Sequence, residues 1–327
     1  MDMKKAMLKL SPLLESTDIE TVMQGLSLWE SLFDGEDFID AFEYFSHQTT
    51  SNLFTLFAKN IFLPNIHHSR YITYWFVFQL YGFEKVRSVI EPITTMKLIF
   101  EIDFPDLPDG MFNLKDLQSL TIYNVQHCKS LAALNHLPVL ERLSIMNGDL
   151  RGKSDLIGEL PSLRVLSFIN TKMQYIPTSI CSFQNLKELN LTNNHIFKVP
   201  PEIGNLTNLE YLYLNFDRHS WHSERITKLP DSITKLTKLK HLNLSGHKLS
   251  SLPKNFGNLQ QLVYLKMPSQ NLTVLPESFS RCTRLQYLNF YNCKLTSLPI
   301  KIGELRELNT FLISRNQLTS LPNSICQ

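Results

Sequence analysis

The chain has 327 residues, of which 43% are hydrophobic, and its 32 basic and 30 acidic side chains leave a formal net charge of +2. That composition can fill a continuous core in one large domain or two smaller ones. The near balance of charge lacks the basic stripe that phosphate neutralisation requires, so nucleic acid is not an expected partner.

Five cysteines, Cys128, Cys181, Cys282, Cys293 and Cys326, are odd in number and contain no CxxC pair. They read as free thiols packed as small hydrophobes rather than as a disulfide framework. The opening apolar run, Ala6 to Leu10, is short and interrupted by Lys9, which argues against a signal peptide. The greasiest stretch, Tyr71 to Tyr81, has 11 residues, against the roughly 20 needed to span a bilayer. No membrane insertion is expected. The expected location is cytoplasmic, with delivery into a host cell as an effector as the alternative.

Residues 1–93 carry no fixed repeat. Thr17-Asp18-Ile19-Glu20 is a capping box, with Thr17 capping a helix and Glu20 reaching back to it. Ile19, Val22, Met23, Leu26, Trp29 and Leu32 follow at helical spacing. Phe38 to Phe45 and Leu53 to Phe62 suggest two further helices. A helical cap that shields the first repeat is the simpler reading, because solenoid ends need a cap for solubility; a separate binding domain is the alternative. The aromatic run Tyr71, Tyr74, Trp75, Phe76, Phe78 and Tyr81 is expected to pack between the two parts.

From residue 94 to 327 one hydrophobic phrase recurs. Leu186-Lys187-Glu188-Leu189-Asn190-Leu191 returns as Leu239-Lys240-His241-Leu242-Asn243-Leu244, as Leu285-Gln286-Tyr287-Leu288-Asn289-Phe290 and as Leu308-Asn309-Thr310-Phe311-Leu312-Ile313. With the first leucine as position 1, repeats start at Leu117, Leu140, Leu163, Leu186, Leu209, Leu239, Leu262, Leu285 and Leu308. Every step is 23 residues except Leu209 to Leu239, which is 30. An earlier partial repeat falls between Met96 and Leu114, giving about ten in all. A fixed period of this length means a solenoid whose repeats bury their apolar sides against one another. Aliphatic positions 4 and 6 have the period of a strand. Positions 18, 21 and the next 1 suit a helical or 3₁₀ turn, and proline recurs just before it, at Pro177, Pro200, Pro230, Pro253, Pro276, Pro299 and Pro322.

This wording resembles the leucine-rich repeat family, in its 23-residue LPxxIxxL class of bacterial and intracellular Ras-group-like members; Leu186 to Leu206 and Leu239 to Leu259 match best. The resemblance implies an α/β solenoid, a right-handed horseshoe whose parallel strands line the concave wall. It also implies a protein ligand. The family's asparagine at position 9 survives only as Asn194 and Asn316, so the backbone bonds of an asparagine ladder are expected to be weakened or taken over by other groups.

No catalytic site is read, so no enzyme is expected, and neither a cofactor nor a metal. Gly148-Asp149-Leu150-Arg151-Gly152-Lys153-Ser154 follows a strand like a P-loop, but has three residues between its glycines where four are needed. Asp217, His219, His222 and Glu224 cluster within eight residues, yet a zinc site needs ligands held tetrahedrally, and an extra loop reads better as solvated side chains.

The wall-facing positions 3, 5, 7 and 8 carry the expected partner site. Position 3 reads Tyr211, His241, Tyr264 and Tyr287 in successive repeats, with Tyr213 at position 5, Tyr291 at position 7 and Phe216 at position 8. Such rings suit protein recognition, although a cross-strand ladder that only stabilises the sheet is the competing account. The seven-residue insertion near 218–224 brings Trp221 to the same repeat, and insertions in solenoids often fall on the binding face; a merely tolerated insertion is the alternative. The expected site is therefore Tyr211, Tyr213, Phe216, Trp221, His241, Tyr264, Tyr287 and Tyr291. The expected function is a non-enzymatic scaffold that holds a protein ligand in the concave groove. The alternative is the recognition arm of a larger enzyme, a kinase or ubiquitin ligase, whose catalytic domain lies outside this chain. Self-association through the uncapped C-terminal repeat, Leu318, Leu321 and Ile325, is a further expectation.

Overall fold

The computed structural model describes Gln24 and residues 95–99, 115–123, 125, 131–151, 157–216 and 225–326. The expected N-terminal helices, the aromatic run at 71–81 and the insertion with Trp221 lie outside the described residues.

Ten strands form one parallel sheet in strict sequence order: β1 (Thr95–Ile99), β2 (Ser119–Tyr123), β3 (Arg142–Met146), β4 (Val165–Ile169), β5 (Glu188–Asn190), β6 (Tyr211–Tyr213), β7 (His241–Asn243), β8 (Tyr264–Lys266), β9 (Tyr287–Asn289) and β10 (Thr310–Leu312). Equivalent repeat positions pair with each other, as in Leu189↔Leu212, Leu212↔Leu242 and Leu242↔Leu265. The register follows from burial. Position 4 and 6 side chains such as Leu212, Leu242, Leu265, Leu288 and Phe290 are fully buried, and a one-residue slip would turn every one of them to solvent. The buried core runs unbroken from Leu117 to Leu305, and Leu308, Phe311, Ile313 and Leu318 of the last repeat are only partly covered.

The return limb of each repeat is a 3₁₀ turn, for example Pro201–Asn205, Asp231–Lys235 and Glu277–Arg281. Proline contributes differently from the expected helix start. Pro200, Pro230 and Pro276 are the extended residues just before these turns, and their carbonyls accept the first turn bond from Ile203, Ile233 and Phe279. The fixed φ of proline suits that extended conformation. Position 21 then donates to position 18, and the next position 1 to position 21, as in Leu206 to Ile203 and Leu209 to Leu206. These bonds carry the chain straight into the following strand.

Two further columns set the bend after each strand. Position 8 takes a positive φ in Asn147, Asn170, Asn193, Gly246, Ser269, Asn292 and Arg315. Asparagine recurs there because it tolerates the left-handed region better than most residues. Position 9 is the polar ladder. Asn194 accepts the backbone N–H groups of Thr171 and Met173 through Oδ1 and donates to the carbonyls of Phe168 and Leu191. Where the asparagine is lost, other groups do the same work. Gln270 accepts from Leu249 N–H at 2.8 Å and donates to Leu244 O at 3.0 Å. His247 takes Ile226 N–H on Nδ1 at 3.3 Å and lies 2.7 Å from Leu214 O through Nε2. Only the tautomer protonated on Nε2 satisfies both bonds.

Candidate functional site

Strands β6 to β9 place four rings side by side at position 3. Tyr211 stacks on His241 at 4.9 Å between ring centroids, His241 on Tyr264 at 5.5 Å, and Tyr264 on Tyr287 at 4.5 Å. Interplanar angles of 27°, 19° and 10° make this a continuous stack. Parallel strands in register impose it, because equivalent Cα atoms stand one strand spacing apart, about 4.8 Å, close to the contact distance of aromatic faces. All four residues are half-buried.

The second file, position 5, is Tyr213, Asn243, Lys266 and Asn289. The asparagines are committed to the backbone: Asn243 accepts the N–H of Ser245 and Asn289 that of Tyr291. Asn289 also donates to the Tyr287 hydroxyl at 3.2 Å. Tyr213 and Lys266 have no such duty.

Burial raises the ionisation of the Tyr213 and Tyr264 hydroxyls above the usual tyrosine range, with the Glu188 carboxylate adding to the effect at Tyr213 and the neighbouring Tyr287 at Tyr264. Burial, helped by the charge of Lys240, pushes His241 below the usual imidazole range. Burial thus favours the uncharged forms of Tyr213, His241 and Tyr264. Tyr291 stands at position 7 beneath the Arg315 guanidinium, 5.4 Å from the ring centroid.

Phe216 does not belong to this wall. It is 6% exposed, with its ring under the Arg225 guanidinium at 4.2 Å and edge-on to His195 at 6.0 Å. The cause is local. Position 8 of the other described repeats turns through a positive φ, and Phe216 does not, since a bulky side chain is costly there. Phe216 and Arg225, which flank the insertion in sequence, stack on each other.

Sequence reasoning thus finds the ring file but misses Arg315 on Tyr291 and Asn289 on the Tyr287 hydroxyl. Both stood in wall columns, at positions 8 and 5, and the arginine beside an aromatic column was the available signal.

The other described features supply no reactive site. Asp149, within the P-loop-like segment, accepts from Arg151 N–H at 3.2 Å and from Lys172 at 3.4 Å. With the Arg151 guanidinium bonded to it first of all, its carboxyl falls to about 2, so the described part of this segment carries a paired carboxylate. A depression of about 620 Å³ lies at the strand-start rim, lined by Glu210, Lys238, Lys240 and Gln261. None of the ring-file residues lines it, and its one carboxylate is held by Lys240 at 2.6 Å. Cys181, Cys282 and Cys293 are buried free thiols. Among the described residues there is no cluster of three or more His, Cys, Asp or Glu that could hold a metal ion, and no helix long and apolar enough to cross a membrane.

Comparison with known proteins agrees with this architecture. A Leucine Rich Repeat family model matches residues 185–206, 238–259 and 284–305. No curated protein sequence matches the chain. Among solved structures, a Leptospira interrogans LRR protein, LIC12759, shares 28% identity with a TM-score of 0.65, over 74% of this chain and 60% of that one. A TDR receptor shares 24% identity at a TM-score of 0.58, over 71% of this chain and 39% of that one. A chain from an octameric complex of Latrophilin 3, Unc5D and FLRT2 (LRR) shares 20% at a TM-score of 0.51, over 68% of this chain and 77% of its own length. The present chain therefore spans less than two thirds of the first two neighbours. A strand-by-strand parallel wall that follows a bacterial LRR protein over most of this sequence, with three repeats fitting the family model outright, makes the chain a leucine-rich repeat protein.

Proposed function

We propose that this chain is a non-enzymatic protein-binding module that holds a protein partner against its strand wall, with Tyr211, Tyr213, His241, Tyr264, Tyr287 and Tyr291 as the contact. Leucine-rich repeat proteins are generally interaction modules, which supports the class. The observation that carries the choice of face is the half-buried stack of four rings on β6 to β9, confined to one half of the sheet. Large rigid rings with polar tips give contact area at little rotamer cost, and such residues dominate interface energetics.

A ring stack also stabilises neighbouring strands, by roughly 0.5–1.5 kcal/mol per pair, so the test must separate binding from folding. Affinity capture from a native lysate would compare wild type with a Tyr213→Ala, Tyr264→Ala variant whose circular dichroism and denaturation midpoint show it folded. Loss of a captured protein by the folded variant, at the roughly 2 kcal/mol or more of an interface hot spot, supports the reading. A partner held equally by both proteins moves recognition off this wall and leaves the rings as sheet packing.

A further inference from the structure

The stack constrains what kind of partner segment fits, and this inference rests on the wall being the binding face. Because the rings lie face against face along the sheet, their π faces are spent on one another. What points away from the strands is ring edges and hydroxyl tips. An aromatic edge is the positive end of the ring quadrupole, and a tyrosine hydroxyl kept protonated by burial is a donor. From β6 to β10 the wall charges have the same sign, and the nearest wall carboxylate, Glu188 at position 3 of β5, borders the file beside Tyr211. At positions 3, 5, 7 and 8 of the repeats from Leu209 onward the charged residues are Lys266 and Arg315, and no Asp or Glu occurs there. The nearby Glu210 lies on the strand-start rim, occupied by Lys240.

We infer that the partner presents an extended, carboxylate-rich peptide segment that runs across β6 to β10. Its Asp and Glu side chains meet Lys266 and Arg315, and its backbone carbonyls meet the hydroxyls of Tyr211, Tyr213 and Tyr264. Four rings cover three strand spacings, about 14–15 Å, the reach of four to five extended residues at about 3.3 Å each. Alternate side chains of such a segment face the wall.

The test is selection of a phage-displayed library of short random peptides on the immobilised full chain, followed by fluorescence anisotropy of the enriched peptides. The expected result is enrichment of Asp and Glu over the unselected library, binding that weakens with added salt, and a loss of roughly tenfold or more in a Lys266→Glu, Arg315→Glu variant. Tyr264→Phe with Tyr213→Phe keeps the rings and removes two donors, and should weaken binding severalfold. Enriched peptides without acidic excess, equal binding to the charge-reversed variant, or a library that yields no binder each overturn the proposal. Neutral or basic peptides lost on Tyr264→Ala would overturn the acidic partner while keeping the wall as the binding face. Peptides indifferent to Tyr264→Ala and to charge reversal would remove the wall itself.

Discussion

His247 shows how one side chain can carry both an architectural role and a pH dependence. It is 2% exposed and substitutes for the ladder asparagine only while neutral, since Nδ1 must accept the Ile226 N–H. Burial pushes its pKa down to about 4, with the bond to the Leu214 carbonyl opposing and the Arg225 charge reinforcing the shift. A folded value below the unfolded one means that the stability is fully present above about pH 6.5 and is lost as pH falls toward 4, at about 1.4 kcal/mol per pH unit. Denaturant midpoints should therefore drop between pH 7 and pH 4.5 by more in the wild type than in His247→Asn, which keeps the donor and acceptor without a titrating group. Parallel pH profiles would remove this account. The thiols allow a second check at the same scale. Burial raises Cys181 and Cys282 to about 12, so at pH 8 a thiol reagent should modify them only as fast as the protein opens, and denaturant should release the reaction. Rapid modification in the folded state would contradict the packing. That other groups could take over the ladder was legible at position 9, but not that His247 and Gln270 do so, because several side chains can place one acceptor and one donor at that spacing. Phe216 was misjudged for the converse reason: its column is defined by a backbone conformation that the residue types only hint at.

At the level of the repeat element, spacing alone gave the strands, because positions 4 and 6 are apolar in every described repeat and buried from Leu120 to Phe290. It did not resolve how the return limbs approach each other. Gly257 and Gly303, both at position 19, face the next repeat so closely that an added Cβ would lie 1.8 Å from the Ser278 and Ser324 carbonyl oxygens. Backbone on the far side of the contact cannot yield without the repeats separating. Gly257→Ala should then cost about 1–3 kcal/mol, in the range of overpacked sites, although alanine ordinarily favours a helical turn over glycine. A thermal melt distinguishes the two, since a stabilised variant would show that the return limbs can shift. The rings Phe256, Phe279 and Phe290 pack in sequence behind this contact at 5.7 Å and 5.8 Å, which fixes the side of the stack that would have to move.

For the whole molecule, connectivity in strict order means that each repeat touches only its neighbours. Stability is then a sum of local contributions and nearest-neighbour interfaces rather than one global quantity. Leu242, fully buried in the middle of β7, makes this testable. Leu242→Ala should cost about 2–5 kcal/mol from lost burial and the cavity left behind. In a one-dimensional stack that loss is felt where the interfaces are shared, so amide exchange should accelerate across β6 to β8 and fade toward β3 and β4. In a single cooperative core the same change would accelerate every protected amide alike. Hydrogen exchange followed by mass spectrometry reads both patterns from one experiment, and a uniform response would show that the array unfolds as a unit. The partly covered Leu308 and Phe311 add a gradient of their own, with β10 exchanging fastest even in the wild type. The aromatic file spans the same β6 to β9 segment that Leu242→Ala loosens, so a partner clamped across those strands should suppress the accelerated exchange there and leave β3 and β4 unchanged.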